Sequence, residues 1–290
     1  MSDNIKMIEP VSGGQALLSE IKNTTVESGF AIWWLGQSGF AIKSGQTTAY
    51  IDLYLSEQLT AKYKDAPNPH IRMTRAPFRG EEITGADLVL STHRHSDHMD
   101  AETVKPLMAS SPGAKYIIPA AHKEHVCSWG LDEGRLILAK VDRPIIFRDL
   151  AIIPQPAKHE QFDYSQQTGY PHMSYIIKSG GVTLYHSGDT IPYRGMVELL
   201  AKYDVDVLML PINGRDKQRH SFGTAGNFTI QEALCLAELS GAKMLIPHHY
   251  DMFSFNTADI SEFVEQAGEL HPDVNYCVLK CGERKLLPGF

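Results

Sequence analysis

The chain has 290 residues, of which 43% are hydrophobic, and its formal net charge is −7. These values are typical of a globular protein with a sizeable core. They disfavour a nucleic-acid-binding protein, which usually presents a basic face, so we expect no nucleic-acid partner. The sequence contains no apolar run of about 18 residues, so we expect no membrane partner. The first residues, MSDNIKMIEP, lack the apolar stretch of a secretory signal, which makes the cytoplasm the expected location.

Elements of the first half of the chain alternate between β-rich and helical patterns. The predicted strands are residues 30–35, 40–43, 48–53, 87–91, 115–118 and 145–154. The predicted helices are residues 101–108, with Asp100 as N-cap, and a segment through His122 and His125. Turn residues at 44–46 separate the second and third strands.

The second half continues in the same style. The predicted strands are residues 174–178, 182–185, 205–211, 243–246, 276–279 and 284–287. The first two are expected to form a hairpin around Gly180-Gly181. The predicted helices are residues 196–202, 229–239 and 259–267, the second of them closed by Gly241.

No long linker, low-complexity tract or charge run divides the chain, so we predict one domain spanning residues 1–290. Strongly apolar strands such as VDVLML indicate sheets that are buried on both faces. The expected architecture is therefore α/β, with two sheets in the middle and helices outside, as a four-layer αββα sandwich. The cysteines, Cys127, Cys235, Cys277 and Cys281, are scattered, and we interpret them as buried thiols rather than a disulfide framework.

The segment STHRHSDHMD, residues 91–100, contains three histidines and two aspartates. His93 and His95 follow a predicted strand directly and are two residues apart, so both can face one metal ion. Asp97 and His98 come next and can reach a second ion a few ångströms away. Imidazole and carboxylate ligands without thiolate suit zinc, manganese or iron.

Other metal-binding residue types recur just after predicted strands. His159 follows AIIPQP, Asp189 lies in LYHSGDT, and His248 and His249 lie in MLIPHHYD. The two oxygens of Asp189 could bridge two ions. Alone, each position would more often be a loop residue or helix cap, but together with the 91–100 segment they predict a metal site.

A polar, glycine-rich segment at residues 211–227 follows another predicted strand, where a substrate loop would lie. Its candidate substrate-binding residues are Asn213, Arg215, Asp216, Arg219 and Asn227. The two arginines could bind a phosphate or carboxylate through paired donors. The alternative is a solvated surface loop.

Three further regions have open roles. Asp52 could orient a ligand histidine or cap a turn. The segment 70–78, with Arg72 and Arg75, is either a lid or an ordinary loop. His172 and His186 belong either to the core or to a pocket wall.

The series His-x-His-x-Asp-His, then His, then Asp in SGD, then His resembles that of the metallo-β-lactamase superfamily. The segments FAIWWLGQSGFAIKS, IDLYL, LYHSGDT and IPHHYDMFSFN are similar to the L-ascorbate-6-phosphate lactonase (UlaG-like) family. The resemblance implies an αββα sandwich with a dinuclear site at the sheet edges. It also implies that the cofactors are two divalent metal ions, Zn²⁺ or Mn²⁺.

Carried over by position, the resemblance implies two sets of ligands. His93, His95 and His159 would bind the first ion; Asp97, His98 and His249 would bind the second; Asp189 would bridge them. The family's last ligand follows Ile-Pro-x, which selects His249 over His248. Asp97 and Asp189 are the candidate catalytic residues. Asp97 could shuttle a proton, but it cannot be both a tight ligand and a free acid, so the proton donor is left open.

The implied reaction is hydrolysis of a small anionic lactone, such as a sugar-phosphate lactone, by a hydroxide held between the two ions. Two alternatives stay open: a phosphodiesterase or nuclease with the same metals, and a metal-binding protein without catalytic activity. The negative net charge counts against a nuclease, and the full ligand set counts against loss of catalysis. The resemblance also suggests a homo-oligomer.

Overall fold

The computed structural model describes residues 7–66 and 68–289. Its first sheet contains β1 (Val26–Trp34), β2 (Phe40–Gly45), β3 (Thr47–Ile51), β4 (Leu88–Leu90), β5 (Lys115–Pro119), β6 (Leu136–Ala139) and β13 (Arg284–Leu287). The strand order is β13-β1-β2-β3-β4-β5-β6. In this order, the neighbouring pairs β13–β1, β1–β2 and β2–β3 are antiparallel, whereas β3–β4, β4–β5 and β5–β6 are parallel.

The second sheet contains β7 (Ile145–Phe147), β8 (Leu150–Pro156), β9 (Met173–Ser179), β10 (Val182–His186), β11 (Val207–Pro211) and β12 (Met244–His248). The strand order is β12-β11-β10-β9-β8-β7. Strands β10, β11 and β12 are parallel, so their carboxyl ends meet at one edge. The predicted hairpin around Gly180-Gly181 is present as β9–β10.

Eight α-helices lie within the described residues. They are α1 (Gly14–Asn23), α2 (Gln58–Lys62), α3 (Ala101–Ser110), α4 (Lys123–Cys127), α5 (Met196–Lys202), α6 (Lys217–Ser221), α7 (Ile230–Ser240) and α8 (Ile260–Leu270). The predicted caps are present, since Asp100 accepts a hydrogen bond from the backbone of Glu102, and Gly241 ends α7 with a left-handed φ of 68°. No helix within the described residues is both long and apolar enough to cross a bilayer.

Alternating side chains of β1 show how the layers pack. Phe30, Ile32 and Trp34 belong to a core cluster that joins side chains of both sheets with side chains of α5, α7 and α8. Ala31 and Trp33 point to the opposite face, where they pack with α1 and α3. Successive side chains of a strand face opposite sides of its sheet, so a continuously apolar strand serves two layers. The predicted αββα sandwich is confirmed.

Two strand predictions need correction. The run at 145–154 is not one strand but the hairpin β7–β8, whose turn includes Arg148 with a φ of 50°. The run at 276–279 is not a strand, because only Tyr276 forms an isolated bridge, to Leu245. Packing of the Tyr276 ring on Phe263 of α8 explains the apolar character of this run.

The cysteine prediction also needs correction. All four are free thiols, but only Cys281 is buried, while the other three are half-buried.

Candidate metal centre

Seven side chains from four strand ends converge at one edge of the sandwich. Their ligand atoms form two groups, each with all atoms within 4.8 Å of one another. The first group is His93, His95, His159 and Asp189, and the second is Asp97, His98 and His249. The 93–98 segment follows β4, whereas His159, Asp189 and His249 follow β8, β10 and β12.

Asp189 lies between the two groups. Although it belongs to the first, its Oδ1 is 3.1 Å from Nε2 of His98 and its Oδ2 is 3.5 Å from Nε2 of His249. The carboxylate is therefore placed where it can contact ions held by either group.

Asp97 is positioned by a residue that the sequence did not single out. The Nε2 amide of Gln37 donates to Oδ2 of Asp97 at 2.8 Å and lies 3.1 Å from Nε2 of His249. Asp97 Oδ2 is itself 3.8 Å from Nε2 of both His98 and His249. Gln37 has a left-handed φ of 52°. Its place in the GQSG turn after β1 was the sequence feature that could have identified Gln37 as a site residue.

Asp52 lies directly behind His98. Its Oδ2 is 2.8 Å from Nδ1 of His98, and its two oxygens accept hydrogen bonds from the backbone and hydroxyl of Thr92. The Thr92 hydroxyl is also 3.0 Å from Nδ1 of His93. The structure thus brings Asp52 to the position of a carboxylate that orients a ligand histidine.

Gly188 makes room for this hydrogen-bonded group. A Cβ at this position would lie 2.7 Å from Oγ1 of Thr92, and the backbone φ of 57° is one that glycine adopts readily. The glycine of SGD therefore lets Asp189 follow a strand that packs closely against Thr92.

The two adjacent histidines after β12 point in different directions. His248 is fully buried, stacks on His186 with ring centroids 5.1 Å apart, and lies 3.1 Å from the Ser38 hydroxyl. His249 has a left-handed φ of 64° and joins the second ligand group. Only His249 is thus brought to the cluster, and His186 lies in the core.

Burial and charge oppose each other at the centre of the cluster. Burial disfavours a charge on His98, but the carboxylates of Asp189 and Asp52 outweigh it and raise the pKa of His98 well above its ordinary value. Burial likewise disfavours ionised Asp189, but the imidazoles of His98 and His249 hold its pKa well below the usual range. The cluster thus concentrates negative charge that a bound cation would neutralise.

The donor set fits divalent cations. Nε2 of His93 is buried and lacks a hydrogen-bond partner among the described residues. Nδ1 of His95 and Nε2 of His159 are 3.3 Å apart. Two nitrogen ligands on one tetrahedral zinc ion are separated by about 3.3 Å, given Zn–N bonds of about 2.0–2.1 Å. Nitrogen and oxygen donors without sulfur also suit manganese.

A cavity of about 320 Å³ opens in front of the cluster. Small-molecule sites typically begin at about this size. One wall is aromatic, with the His70 ring stacked on Tyr63 at 4.2 Å and in edge contact with Phe255 at 4.5 Å. The cationic side chains that line the cavity are Lys62 and Arg94.

The five residues predicted to bind substrate are not among those that line this cavity. Arg215 pairs with Glu232 and donates to the Asn227 carbonyl. Arg219 pairs with Asp216, the N-cap of α6, and donates to the Asn213 carbonyl. The structure therefore gives no support to direct substrate contacts from Asn213, Arg215, Asp216, Arg219 or Asn227, because their polar atoms serve one another.

The segment 70–78 is anchored rather than free. Arg72 is buried, donates to the carbonyls of Tyr54, Ser56 and Thr74, and pairs with Glu57 at 3.0 Å. Arg75 is exposed and pairs with Glu9. Of this segment, only His70 lines the cavity.

His172 packs against the histidines of the first ligand group. Its ring centroid is 5.3 Å from that of His93 and 5.1 Å from that of His159. Burial lowers the pKa of His172 to about 4, so the ring is neutral at pH 7.

Known structures share this architecture. Igni18, a metallo hydrolase from Ignicoccus hospitalis, superposes with a TM-score of 0.63 at 25% identity, covering 88% of this chain and 97% of that one. An isothiocyanate hydrolase from Delia radicum gut bacteria superposes with a TM-score of 0.71, covering 90% of this chain and 100% of that one. At 15% identity the second comparison establishes the fold alone.

Sequence relatives narrow the family. A UPF0173 metal-dependent hydrolase of Pyrococcus furiosus is 30% identical over 260 residues, which cover 87% of this chain and 97% of that protein. A probable L-ascorbate-6-phosphate lactonase UlaG of Escherichia fergusonii is 26% identical over 280 residues, covering 86% and 77%. Residues 65–250 match the family model described as a beta-lactamase superfamily domain. The chain therefore belongs to this superfamily and is one of its metal-dependent hydrolases.

Proposed function

We propose that the protein uses two divalent metal ions to hydrolyse a small anionic lactone. The observation that carries this proposal is the pair of ligand groups that share Asp189 beside a cavity bearing Lys62 and Arg94. A negatively charged lactone of sugar size matches both the volume of the cavity and the sign of its charged wall.

Each ligand group would hold one ion. His93, His95 and His159 would bind the first, and Asp97, His98 and His249 the second, with Asp189 contacting both. Bound divalent ions supply Lewis acidity and lower the pKa of water to near neutrality. Asp52 and Gln37 would keep His98 and Asp97 in their binding orientations through the hydrogen bonds described above.

The remaining steps fall to side chains of the cavity. In the overall reaction, water adds across the ester bond, its oxygen joining the carbonyl carbon while the ring oxygen leaves and takes up a proton. Asp97, half-buried at the cavity wall, would carry that proton if it binds the second ion only loosely. Lys62 and Arg94 would hold the anionic group of the substrate away from the ester.

The relatives support the lactone as substrate class. The Escherichia fergusonii relative is named for L-ascorbate 6-phosphate, an anionic lactone.

The test combines metal analysis with a substrate panel. Metal per chain is measured by elemental analysis, and turnover is measured on phosphorylated and unphosphorylated sugar lactones and on bis-p-nitrophenyl phosphate. We expect about two zinc or manganese ions per chain and lactone turnover that a chelator abolishes. Turnover of the phosphodiester alone would favour a phosphodiesterase. Absence of metal after reloading would favour a binding protein without catalytic activity.

A further inference from the structure

Asn256 lines the cavity on a turn that hydrogen bonds hold in place. Its backbone N–H donates to the Phe253 carbonyl at 2.9 Å, and Phe253 is itself buried. The backbone of Arg72, a buried residue, forms an antiparallel β-bridge with Phe253. The side chain of Asn256 therefore projects from a well-anchored part of the wall.

The amide of Asn256 has only one orientation that satisfies its neighbours. Its Oδ1 accepts hydrogen bonds from Nδ2 of Asn213 at 2.8 Å and from Nη1 of Arg219 at 3.1 Å. A guanidinium can only donate, so the oxygen must face it. The Nδ2 group is thus turned away from this network, and it makes no hydrogen bond to another described residue.

The orientation of Asn256 in turn orients the next two amides. Because Oδ1 of Asn256 faces Arg219, Asn213 must present its NH₂ to that oxygen, and its own Oδ1 then accepts from Nδ2 of Asn227 at 3.0 Å. Asn213 and Asn227 are both buried, and Nδ2 of each has its partner in this chain of amides, whereas Oδ1 of Asn227 has none among the described residues. The chain of amides therefore leaves the two N–H donors of Asn256, a residue that lines the cavity, without a partner among the described residues.

We propose that Nδ2 of Asn256 contacts the substrate and donates to an acceptor oxygen, either the lactone carbonyl or an oxygen of the anionic group. This inference rests on the proposed function in that it takes the cavity for the substrate site. In this proposal Asn213 and Arg219 are positioning residues, because their hydrogen bonds to Oδ1 of Asn256 orient its Nδ2 donor. Lys62 and Arg94 in the same cavity favour the same kind of oxygen-rich ligand.

The first test replaces the donor by an acceptor of the same shape. Asn256→Asp keeps an oxygen for Arg219 and puts a second, negatively charged oxygen in place of the NH₂. We expect KM for 6-phosphoglucono-δ-lactone or glucono-δ-lactone, whichever is turned over, to rise about tenfold or more. We expect kcat to change much less, with metal content and melting temperature as in the wild type. An effect on both lactones assigns the contact to the carbonyl, and an effect on the phosphorylated one alone assigns it to the phosphate.

Asn275→Asp is the matched control. Asn275 is exposed, lies outside the cavity, and undergoes the same change of charge and shape. It should leave KM unchanged. An Asn256→Asp protein with wild-type KM, or one whose KM changes no more than in the control, would overturn the proposal.

A second measurement needs neither turnover nor a mutant that folds. The side-chain amide of Asn256 is followed by ¹⁵N–¹H NMR in the wild-type holoprotein while 6-phosphogluconate, a product acid, is added. A saturable shift of this resonance supports the contact even if no lactone is hydrolysed. A resonance that stays in place throughout the titration rules the contact out. Failure of the proposed reaction is read separately, from the substrate panel.

Discussion

Oδ2 of Asp52 lies 2.8 Å from Nδ1 of His98, and this contact leaves Nε2 of the same ring 3.1 Å from Asp189. Asp52 directly follows β3, which pairs with β4, the strand that leads to His98. Neighbouring strands of one sheet thus supply a candidate ligand and the carboxylate behind it. An imidazole held in this way keeps one tautomer and one orientation.

Asp52→Asn should weaken metal binding without removing a ligand. The amide is a weaker acceptor for His98, and loss of such a partner typically lowers metal affinity about 10–100-fold. Affinity is measured by competition with a chromophoric chelator. Asp87→Asn, which removes a carboxylate near the opposite end of β4, is the control. Equal affinities for the two variants would contradict a positioning role for Asp52.

Asp189→Asn should lower metal content below that of the wild type. The pKa of Asp189 is held well below its usual range, so the carboxylate is charged at neutral pH and the substitution removes a full charge from the cluster. Elemental analysis of the purified variant checks the result, with circular dichroism to confirm folding. A variant that retains two ions and full activity would refute the assignment of Asp189 as a shared ligand.

Removal of the positive charge at Lys62 or Arg94 should impair binding of anionic substrates selectively. For Lys62→Gln and Arg94→Gln we expect KM for a phosphorylated lactone to rise by about tenfold, as for loss of a charge-assisted contact. KM for the unphosphorylated lactone should change little. Equal effects on both substrates would show that these cations do not contact the anionic group.

Arg215→Gln should act on stability rather than on substrate choice. Arg215 is paired with Glu232, whose side chain also closes the capping box at the start of α7. Since both partners are partly exposed, we expect a loss of about 1 kcal/mol or less in unfolding free energy. The ratio of kcat/KM values for phosphorylated and unphosphorylated lactones should stay at its wild-type value. A selective loss for the phosphorylated lactone would restore Arg215 as a substrate contact.

His122 should make stability fall in mild acid. Burial lowers the pKa of His122 from 6.5 to about 4, although Nε2 lies 2.7 Å from the Pro171 carbonyl. His122 therefore binds a proton near pH 6.5 in the unfolded chain but only near pH 4 in the folded chain. Because the unfolded state binds more protons between these values, the free energy of unfolding decreases as pH falls through this window.

The measurement compares variants of the protein in the presence of a chelator. His122→Gln should reduce the loss of unfolding free energy between about pH 7 and 5.5 by about 1 kcal/mol. His125→Gln, at an exposed position on the following turn, is the control. Parallel pH profiles for the wild type and His122→Gln would disprove the effect.

The layers and the histidine cluster were accessible from the sequence because each is encoded locally. Continuously apolar runs such as VDVLML predicted two-sided burial, and metal-binding residue types directly after strands predicted that these residues converge. The break between β7 and β8 was not predicted, because Arg148 takes a left-handed φ that its residue type does not announce. The apolar run at 276–279 owes its character to packing against α8 rather than to strand pairing.

The residues that line the cavity were harder to predict, because they depend on which side chains form ion pairs with one another. Arg219 follows Asp216 by three residues, and this local pairing removes it from the cavity. Arg215 finds Glu232 on α7, a partner distant in sequence. Gln37 and Asn256 reach the site through loop geometry, so residue type alone could not reveal them.

The origin of the seven clustered residues has a consequence for the lifetime of the protein. Four of them follow β4 in the first sheet, and the other three follow β8, β10 and β12 in the second. Ions bound there would fasten the two sheets together at one edge. Each would add about 2.7 kcal/mol of stability when its free concentration is about 100 times its dissociation constant. Metal supply would then set resistance to proteolysis, and so abundance, as well as catalysis.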